Sequence, residues 1–403
     1  MMKLYSLVWV LLAPLAGFVW QSRLRQGKED PTRRHERFGR PVLPRPHGTL
    51  VWLHGASVGE SLSLLVLIDE MRRAHPSWRY LVTTGTVTSA RLMAQRLPYE
   101  AVHQYIPYDN PAWVGAFIDH WKPHGVIWCE SEIWPGLLTA VRQRGIPAVL
   151  LNARMSETSA SRWQWVRGWA RQLIGTFQFI AAQTPAIAVR FRQFTDAPVL
   201  ELGNLKFVNA RLPVDHASAS ALRPLLQSRK VWLIASTHPG EEQLAADIHQ
   251  KLKHLVPGLL TIIALRHPQR ADAVTASLPS DSIITRRSQG QLPTGDIYLW
   301  DTLGEMGTLY DCVKLVAMGG SFAHIGGHNP IEPAQFGCAV ICGPHMFNFA
   351  AIMETFKDQN AILQVPDSGT LSAMLQGLLA VPVEITALGA RAEAVCQTQH
   401  ETL

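Results

Sequence analysis

The sequence predicts an α/β protein that contains two doubly wound parallel sheets. Short apolar and often β-branched segments alternate with amphipathic segments along most of the chain, as in sheets whose strands are joined by helices. The 403 residues are too many for one ordinary core. A polar, alanine-rich connection at 208–230 separates two series of strand-like segments, which indicates two domains of similar size.

The strand-like segments fall into two groups. Those of the first half are 48–55, 80–86, 125–130, 148–154, 179–184 and 199–207. Those of the second half are 230–237, 259–268, 296–301, 314–320 and 339–344. The predicted domains are therefore 23–210 and 211–403, preceded by an N-terminal segment, 1–22.

The N-terminal segment is apolar and uncharged from Leu4 to Trp20, and a cluster of arginines and lysines follows it. A stretch of about 17 apolar residues is at the lower limit for crossing a bilayer. A signal peptide would carry its charges before the apolar run, and Trp20-Gln21 is a poor cleavage site. We therefore predict an uncleaved anchor that spans the membrane or lies in its interface. Because basic clusters stay on the cytoplasmic side, we expect the body of the protein in the cytoplasm. The alternative is a buried core helix, which would normally show a polar face.

Composition restricts the partners and the compartment. Lys and Arg exceed Asp and Glu by six, which favours an anionic partner such as a membrane, a nucleic acid or a phosphorylated substrate. The chain has no basic run with interleaved aromatic residues, so we expect no nucleic-acid partner. The five cysteines form no CxxC pair, which argues against disulfides and a zinc ribbon and predicts small buried side chains in a reducing compartment.

Two acidic motifs follow strands of the first half. HGASVGE contains Ser57 and Gly59 in a turn, and Glu60 opens the next helix. That position suits a carboxylate through the helix dipole alone, but it also suits a general base at a strand end. CESEIWP places Glu130 and Glu132 on one side of an extended chain, where they can bind sugar hydroxyls or shift each other's pKa, unless they belong to a solvated loop.

Two polar motifs follow strands of the second half. ASTHPGEE offers Ser236, Thr237 and His238 before a helix, and LRHPQR offers Arg266, which can form a bidentate pair with a phosphate. Each motif alone is typical of an ordinary capped loop. Their shared position at one sheet edge favours a nucleotide site.

The stretch GGSFAHIGGHNPIEP predicts a backbone that approaches a ligand. Gly326 and Gly327 permit close approach and positive φ. Asn329 is placed as an N-cap with Pro330 at the first helical position, so that the helix N-terminus could receive an anion. Glu332 in the first turn could hold ribose hydroxyls.

The ordered motifs resemble the 3-deoxy-D-manno-octulosonic acid (Kdo) transferases of lipopolysaccharide synthesis, and the resemblance covers nearly the whole chain. The motifs that carry it, besides the apolar N-terminus, are ERFG, HGASVGE, IPYDNP, ESEIWP, NARMS, GNLKF, STHPGEE, RHPQR, GGSFAHIGGHNPIEP and GPHMFNF. The resemblance implies the GT-B fold, with two Rossmann-like domains facing a cleft and an N-terminal membrane-anchor helix. It also implies inverting transfer of Kdo from CMP-Kdo to the lipid A precursor at the cytoplasmic side of the inner membrane.

The resemblance also implies roles for individual residues. Glu60 would be the general base, and neither a metal nor another cofactor would be required, which agrees with the lack of a DxD-like motif. The residues that would bind the donor are Ser236, Thr237, His238, Arg266, His267, Gly326, Gly327, Asn329 and Glu332. Those that would bind the acceptor or sugar are Ser57, Gly59, Glu130, Glu132, Lys206, Arg33, Arg34 and Arg37, the three arginines through lipid phosphates or, alternatively, through anionic head groups.

Two other function classes are compatible with parts of the sequence. One is another GT-B enzyme, either a different nucleotide-sugar transferase or a sugar epimerase, which would use a UDP- or GDP-sugar. The other is a membrane-anchored protein that binds nucleic acid through its basic surface. The sequence departs from the expected family motif at Leu265 and Gln269, where a proline and an acid are expected, but Arg266 and the two residues after it are intact.

Overall fold

Two parallel seven-stranded sheets form the framework of the protein, one in each of two compact units, Met1–Asn209 and Ala210–Glu401. This computed structural model describes residues 2–130, 132–208 and 211–402. The domain boundary predicted at residue 210 lies outside the described residues.

The first unit has the strand order β3-β2-β1-β4-β5-β6-β7. Its strands are β1 Leu50–His54, β2 Arg79–Thr84, β3 Ala101–Tyr105, β4 Gly125–Cys129, β5 Ala148–Ala153, β6 Phe177–Ala182 and β7 Val199–Glu201. Its helices are α1 Met2–Arg25, α2 Arg34–Arg37, α3 Val58–Ala74, α4 Val87–Arg96, α5 Pro111–Trp121, α6 Pro135–Gln143, α7 Glu157–Gln164, α8 Arg167–Ile174 and α9 Pro185–Arg192.

The second unit has the strand order β10-β11-β9-β8-β12-β13-β14. Its strands are β8 Lys230–Thr237, β9 Leu259–Leu265, β10 Ile284–Arg286, β11 Ile297–Trp300, β12 Leu315–Met318, β13 Ala339–Cys342 and β14 Leu363–Gln364. Its helices are α10 His216–Gln227, α11 Glu241–Leu252, α12 Ala271–Ser277, α13 Met306–Cys312, α14 Ile331–Ala334, α15 Ala350–Asp358, α16 Ser368–Ala380 and α17 Pro382–Thr402.

Helices cover both faces of the first sheet, which explains why its central strand is apolar at nearly every position. Successive side chains of a strand point to opposite faces. Trp52 packs in the core on one face with α5 and α6, whereas Val51 and Leu53 pack in the core on the other face with α3. Strands buried on both faces read as continuous apolar runs, as the sequence predicted.

The strand orders define a switch point in each sheet. In the first unit the chain passes from β1 toward β2 on one side and later adds β4 on the other. In the second unit, β8 and β12 are the corresponding pair of neighbours. Ligands of doubly wound sheets bind at the carboxyl ends of the strands that flank such a point.

The N-terminal helix α1 is apolar and largely exposed. Leu7, Leu11 and Phe18 expose 53%, 68% and 75% of their surfaces, so the alternative of a buried core helix is wrong. Leu4–Arg25 is long and apolar enough to cross a membrane, and the helix ends three residues beyond the predicted limit at 22. The helix nevertheless contacts its unit, because the Tyr5 hydroxyl donates to Asp109 Oδ2 at 2.6 Å.

The five cysteines are free thiols, and four of them are buried, which confirms the predicted packing role for those four. Burial raises the pKa of the Cys338 thiol to about 12, so this sulfur stays protonated at neutral pH.

We expect deletion of residues 1–20 to leave a folded, more soluble protein that no longer binds vesicles of anionic lipid. Asp109 would lose the Tyr5 hydroxyl but keep its two bonds to the Gly136 and Leu137 N–H groups, both at 2.7 Å. The truncation also removes the Trp9 carbonyl, which accepts the Asn110 Nδ2–H at 3.2 Å, and the buried Trp20 side chain. The expected loss of unfolding free energy therefore exceeds the roughly 1 kcal/mol of one hydrogen bond. Calorimetry and vesicle sedimentation measure the two effects.

Tyr5→Phe is the matched control, because it removes the same hydrogen bond and keeps the apolar helix. It should lose about 1 kcal/mol, less than the truncation does, and still sediment with vesicles. If the truncated protein cannot fold while the Tyr5→Phe variant is stable, α1 is part of the core and the anchor interpretation is wrong.

Candidate active site

Carboxylates gather at the switch point of the first unit. Glu60 lies in the first turn of α3, the helix that follows β1, and Glu130 directly follows β4. Both side chains are buried, with 6% and 8% of their surfaces exposed. The sheet topology therefore brings together two glutamates that are 70 positions apart in the sequence.

Glu60 also caps the start of its own helix. Ser57 is the N-cap residue, and its hydroxyl donates to Glu60 Oε1 at 2.7 Å. The Ala56 N–H donates to Glu60 Oε2 at 2.6 Å. The interpretation of Glu60 as a residue that stabilises the start of a helix is thus correct, but that role does not explain the shifted pKa of its carboxyl group.

Burial and, after it, the nearby Glu130 carboxylate raise the pKa of Glu60 to about 7. The hydrogen bonds from Ser57 and Ala56 oppose this rise. Repulsion between close carboxylates and loss of hydration both disfavour the charged form. A carboxylate that titrates near neutral pH can accept a proton from a substrate and release it again.

Glu130 has an unusual backbone conformation, with φ at 61°, in the left-handed region that non-glycine residues rarely adopt. Its Oε1 atom lies 2.7 Å from Lys206 Nζ and 3.4 Å from Asn152 Nδ2. Asn152 also has positive φ and accepts the Leu205 N–H, which fixes the segment that carries Lys206. Sequence analysis missed this function of Asn152, although it lies within the NARMS motif.

The other residues predicted around the acceptor differ in how they are held. Gly59 allows Lys206 to come close, since a Cβ there would lie 3.3 Å from Lys206 Cε. Glu132 is half-buried, and its Oε2 atom accepts the Trp134 indole N–H at 2.7 Å. The described residues thus bring Ser57, Gly59, Glu60, Glu130 and Lys206 into one cluster.

Two of the three predicted phosphate-binding arginines make several contacts within the protein. Arg37 is only 3% exposed, and its guanidinium donates to Glu29, to the Ile106 carbonyl and to the Gly85 carbonyl. The expectation that Arg37 contacts a lipid phosphate is therefore wrong.

Arg33 donates to both carboxylate oxygens of Glu36 at 2.8 Å and also to the His103 carbonyl, so its charge is already compensated. Arg34 is exposed, and its guanidinium lies 5.0 Å from the ring centre of Trp20 at the end of α1. Arg34 is therefore the most accessible of the three, whereas Arg33 is half-buried and its predicted role stays a prediction.

In the second unit, Glu241 joins the two loops of the switch point. Its Oε2 accepts the N–H groups of His238 at 2.9 Å and Gly320 at 2.8 Å. Its Oε1 accepts those of Phe322 and Ala323, both at 3.1 Å. This carboxylate is 2% exposed and holds the loop after β12 against the loop after β8. Sequence analysis did not single it out.

The end of β8 is irregular in a way that directs its side chains. Ser236 has φ at 60°, and the pairing of β8 with β9 shifts register between Ala235 and Thr237. Thr237 is fully buried, and its hydroxyl donates to Glu242 at 2.9 Å. Arg270 forms a bidentate pair with the same Glu242, a further contact that the sequence did not indicate.

Two basic residues, Arg266 and His267, lie near the loop that follows β8. Arg266 and His267 follow β9 and are exposed. Within the described residues the Arg266 guanidinium has no ion pair, and its charge lowers the pKa of His328 and opposes the rise that burial causes in the pKa of Glu332. These effects on pKa indicate that Arg266 lies near Glu332 and near His328 in the loop after β12.

The glycine-rich stretch folds differently from its prediction in two respects. Gly326 and Gly327 have the predicted positive φ, but a Cβ at Gly327 would lie 2.1 Å from Met346 Sδ, so the close approach is to the protein's own chain. The helix after it, α14, has only four residues, and Pro330 caps it. Asn329 Oδ1 still accepts the Ile331 N–H at 3.2 Å, but one helical turn has too small a dipole to form an anion site.

Among residues 2–130, 132–208 and 211–402, no three His, Cys, Asp or Glu side chains lie together as metal ligands would.

Two doubly wound parallel sheets, each with functional groups at its switch point, define a GT-B fold. Solved structures of low identity share it. One is UDP-GlcNAc 2-epimerase from Neisseria meningitidis, 12% identical, with a TM-score of 0.57 over 88% of this chain and 99% of that chain. Another is MurG from Acinetobacter baumannii, 14% identical, with a TM-score of 0.54 over 88% and 98%. At these identities the likeness concerns the fold alone.

The family follows from sequence similarity. Residues 32–209 match the family model described as 3-deoxy-D-manno-octulosonic-acid transferase (kdotransferase). The chain is also 35% identical to the 3-deoxy-D-manno-octulosonic acid transferase of Rickettsia bellii, over 94% of this chain and 91% of that protein. The chain belongs to the Kdo transferase family of glycosyltransferases, as its motifs predicted.

We expect Glu241→Gln to destabilise the second unit. A carboxamide offers one acceptor oxygen, so its NH₂ group would face backbone N–H groups that Glu241 now satisfies. A buried donor without a partner costs about 1–3 kcal/mol. Calorimetric unfolding measures the change, and Asp247→Asn, an exposed substitution on the same helix, should stay within about 0.5 kcal/mol. Equal unfolding temperatures for the two variants would show that Glu241 does not hold the loops together.

Proposed function

We propose that this protein transfers Kdo from CMP-Kdo to the lipid A precursor, lipid IVA, with inversion at the anomeric carbon. The observation that carries the proposal is Glu60, a buried carboxylate at a switch point whose pKa is raised to about 7. Membership of the Kdo transferase family supports the choice of sugar. The direct test is to incubate the purified protein with CMP-Kdo and the lipid A precursor and to measure the mass of the lipid product. A lipid of unchanged mass, or transfer from a UDP- or GDP-sugar instead, would reject the proposal.

In the proposed reaction Glu60 removes the proton from the primary hydroxyl of the acceptor. The acceptor oxygen attacks the anomeric carbon of Kdo, and the bond from that carbon to the CMP phosphate oxygen breaks with its electron pair. The proton ends on Glu60 and the negative charge on CMP. Ser57, Gly59, Glu130, Glu132 and Lys206 would position the sugar and the acceptor.

The second unit is the proposed donor domain. Arg266 would pair with the CMP phosphate, and Glu332, which lies near it, would bind ribose hydroxyls. Ser236, His238, His267 and Asn329 would complete the surface. The buried Thr237, Gly326 and Gly327 would shape the backbone beneath it, since their own contacts are to the protein.

We propose that transfer needs no metal ion, because the Arg266 guanidinium supplies positive charge at the departing phosphate. Transfer assays are therefore run in EDTA. A wild-type rate that collapses in EDTA and returns with Mg²⁺ would contradict this part of the proposal.

The proposed location is the cytoplasmic side of the inner membrane. The exposed apolar surface of α1 supports an anchored protein, and Arg34 beside Trp20 could meet lipid phosphates at that surface. The acceptor is itself a lipid, so anchoring would bring the enzyme to its substrate.

We expect Glu60→Gln to lose at least about 10²-fold in single-turnover rate while it binds CMP normally. Glutamine keeps the length and one acceptor but cannot take a proton. The wild-type rate should also fall as the pH drops below about 7, because protonated Glu60 is no longer a base.

Thermal unfolding separates catalysis from capping in this variant. Because the folded-state pKa of Glu60 is raised, ionisation of this residue opposes folding as the pH rises through about 7, so Glu60→Gln should not lower the unfolding temperature at pH 8. Glu157→Gln, an exposed glutamate in the first turn of α7, is the control and should keep full activity. A Glu60→Gln variant with more than about a tenth of the wild-type rate would leave Glu60 as a helix-start residue only and direct the search to Glu130 or Glu132.

We expect Arg266→Ala to weaken CMP binding by about 1.5–3 kcal/mol, the contribution of a charge-assisted hydrogen bond. Isothermal titration of CMP measures this change. Arg391→Ala removes an exposed arginine from α17 of the same unit and should bind CMP as the wild type does. Wild-type affinity in Arg266→Ala would remove this residue from the donor site.

A further inference from the structure

Two histidines from the two loops of the donor-domain switch point meet edge to edge. His238 follows β8 and His328 follows β12, and their Nε2 atoms are 2.9 Å apart. The ring planes are inclined by only 9°, and the ring centres are 5.1 Å apart, much farther than the two nitrogens. Each ring therefore points its Nε2 at the other, in the geometry of an N–H···N hydrogen bond.

This contact can hold only one proton between the two Nε2 atoms. If both nitrogens carried hydrogen they would repel, and if neither did, two lone pairs would face each other. In the neutral pair, the ring that donates through Nε2 has an acceptor at Nδ1, and the other ring has an Nδ1–H. One added proton turns both Nδ1 atoms into donors and gives the pair a single positive charge.

Both Nδ1 atoms are available to a ligand. Neither has a hydrogen-bond partner within the described parts of the chain, and both rings are half-buried at the proposed nucleotide surface. A protonated pair would thus carry one positive charge and an Nδ1–H at each outer end, and one such charged N–H group suits an anion.

Without a ligand the surroundings disfavour the proton. Burial, followed by the charges of His238, Arg266 and His267, lowers the pKa of His328 to about 4. Arg266 and His267 follow β9 and Arg266 is a permanent positive charge, so this cost persists until a negative charge arrives.

The pKa of His238 is also lowered, first by burial and then by His267 and Arg266. The carboxylates of Glu241 and Glu242 at the start of α11 oppose the shift. Both carboxylates are engaged, Glu241 with backbone N–H groups and Glu242 with Thr237 and Arg270. The empty pair is therefore neutral at pH 7.

We propose that the His238–His328 pair is a proton-coupled phosphate receptor, which takes up one proton when the phosphate of the nucleotide binds. The phosphate compensates the positive charges of Arg266 and of the protonated pair, and one of the two Nδ1–H groups donates to a phosphate oxygen. His328 thereby joins His238 as a donor-binding residue. The inference rests on the proposed binding of CMP to this unit.

Titration calorimetry of CMP at pH 7 in buffers of different ionisation enthalpy tests the proposal, because the buffer dependence of the heat counts the protons exchanged. The phosphate of CMP itself titrates near about pH 6, so the quantity compared is the difference between wild type and variant. We expect wild type to take up more protons per CMP than His328→Gln, whose side chain can still bond to His238 but cannot titrate. The CMP dissociation constant of wild type should rise with pH by up to about tenfold per unit, and more steeply than that of the variant.

His324→Gln is the matched control, since His324 lies in the same loop and forms a similar exposed pair with His345, at 3.3 Å between Nδ1 atoms. It should keep the wild-type proton uptake. Cytidine, which lacks the phosphate, should bind without uptake, and His238→Gln should repeat the effect of His328→Gln if the latter does not fold.

The outcomes separate this inference from the proposed function. Wild type that binds CMP with the same proton exchange and pH slope as folded His328→Gln overturns the inference and leaves the donor site intact. Uptake that survives with cytidine, or that disappears in His324→Gln, also overturns it. Wild type that does not bind CMP at all overturns the donor assignment together with the inference.

Discussion

The buried carboxylate of Glu241 makes the interaction on which the second unit, the proposed donor domain, depends. It accepts four backbone N–H groups, one from the loop after β8 and three from the loop after β12. Without it the buried Gly320 N–H and the three partly buried N–H groups would lose this acceptor. The contact between His238 and His328, one from each loop, exists because Glu241 fixes the distance between their backbones. A structural glutamate thus sets the geometry of residues that would contact the nucleotide.

The two units use first-turn glutamates for opposite purposes. Glu60 and Glu241 each begin a helix after the strand at a switch point, and both are nearly inaccessible to solvent. Glu241 is surrounded by N–H donors. Glu60 receives two hydrogen bonds but faces Glu130, and its pKa is raised to about 7. Hydrogen-bond donors stabilise a charged carboxylate, whereas a neighbouring negative charge destabilises it. The many donors around Glu241 therefore suit a structural role, and the Glu130 charge beside Glu60 suits proton exchange.

The local sequence cannot make this distinction, which explains where prediction succeeded and failed. The central strands were predictable because burial on both faces leaves a continuous apolar run, whereas the edge strands β3, β10 and β14 went unnoticed because they are short or carry polar residues. The positions of Glu60, Glu130 and Arg266 followed from strand ends. The burial of Arg37 did not, because it depends on Glu29 and on the distant Gly85 carbonyl. Likewise, positive φ at Gly326 and Gly327 was predictable, but their contact with the segment around Met346 was not.

Backbone strain marks the two switch points independently of any motif. Among the described residues, five other than glycine have positive φ, and Glu130 and Ser236 are two of them, one at a switch-point strand end in each unit. Glycine would adopt this conformation without the cost of a Cβ. Strained residues persist where the surrounding structure fixes them and the side chain is needed. At Glu130 the ion pair with Lys206 shows what that side chain provides: a negative charge held beside Glu60, which raises the pKa of Glu60. The strain at Glu130 and part of the rise in the pKa of Glu60 are therefore two consequences of one placement. A glycine at position 130 would relieve the strain and remove the Glu130 charge that raises this pKa, but the larger contribution, burial, would remain.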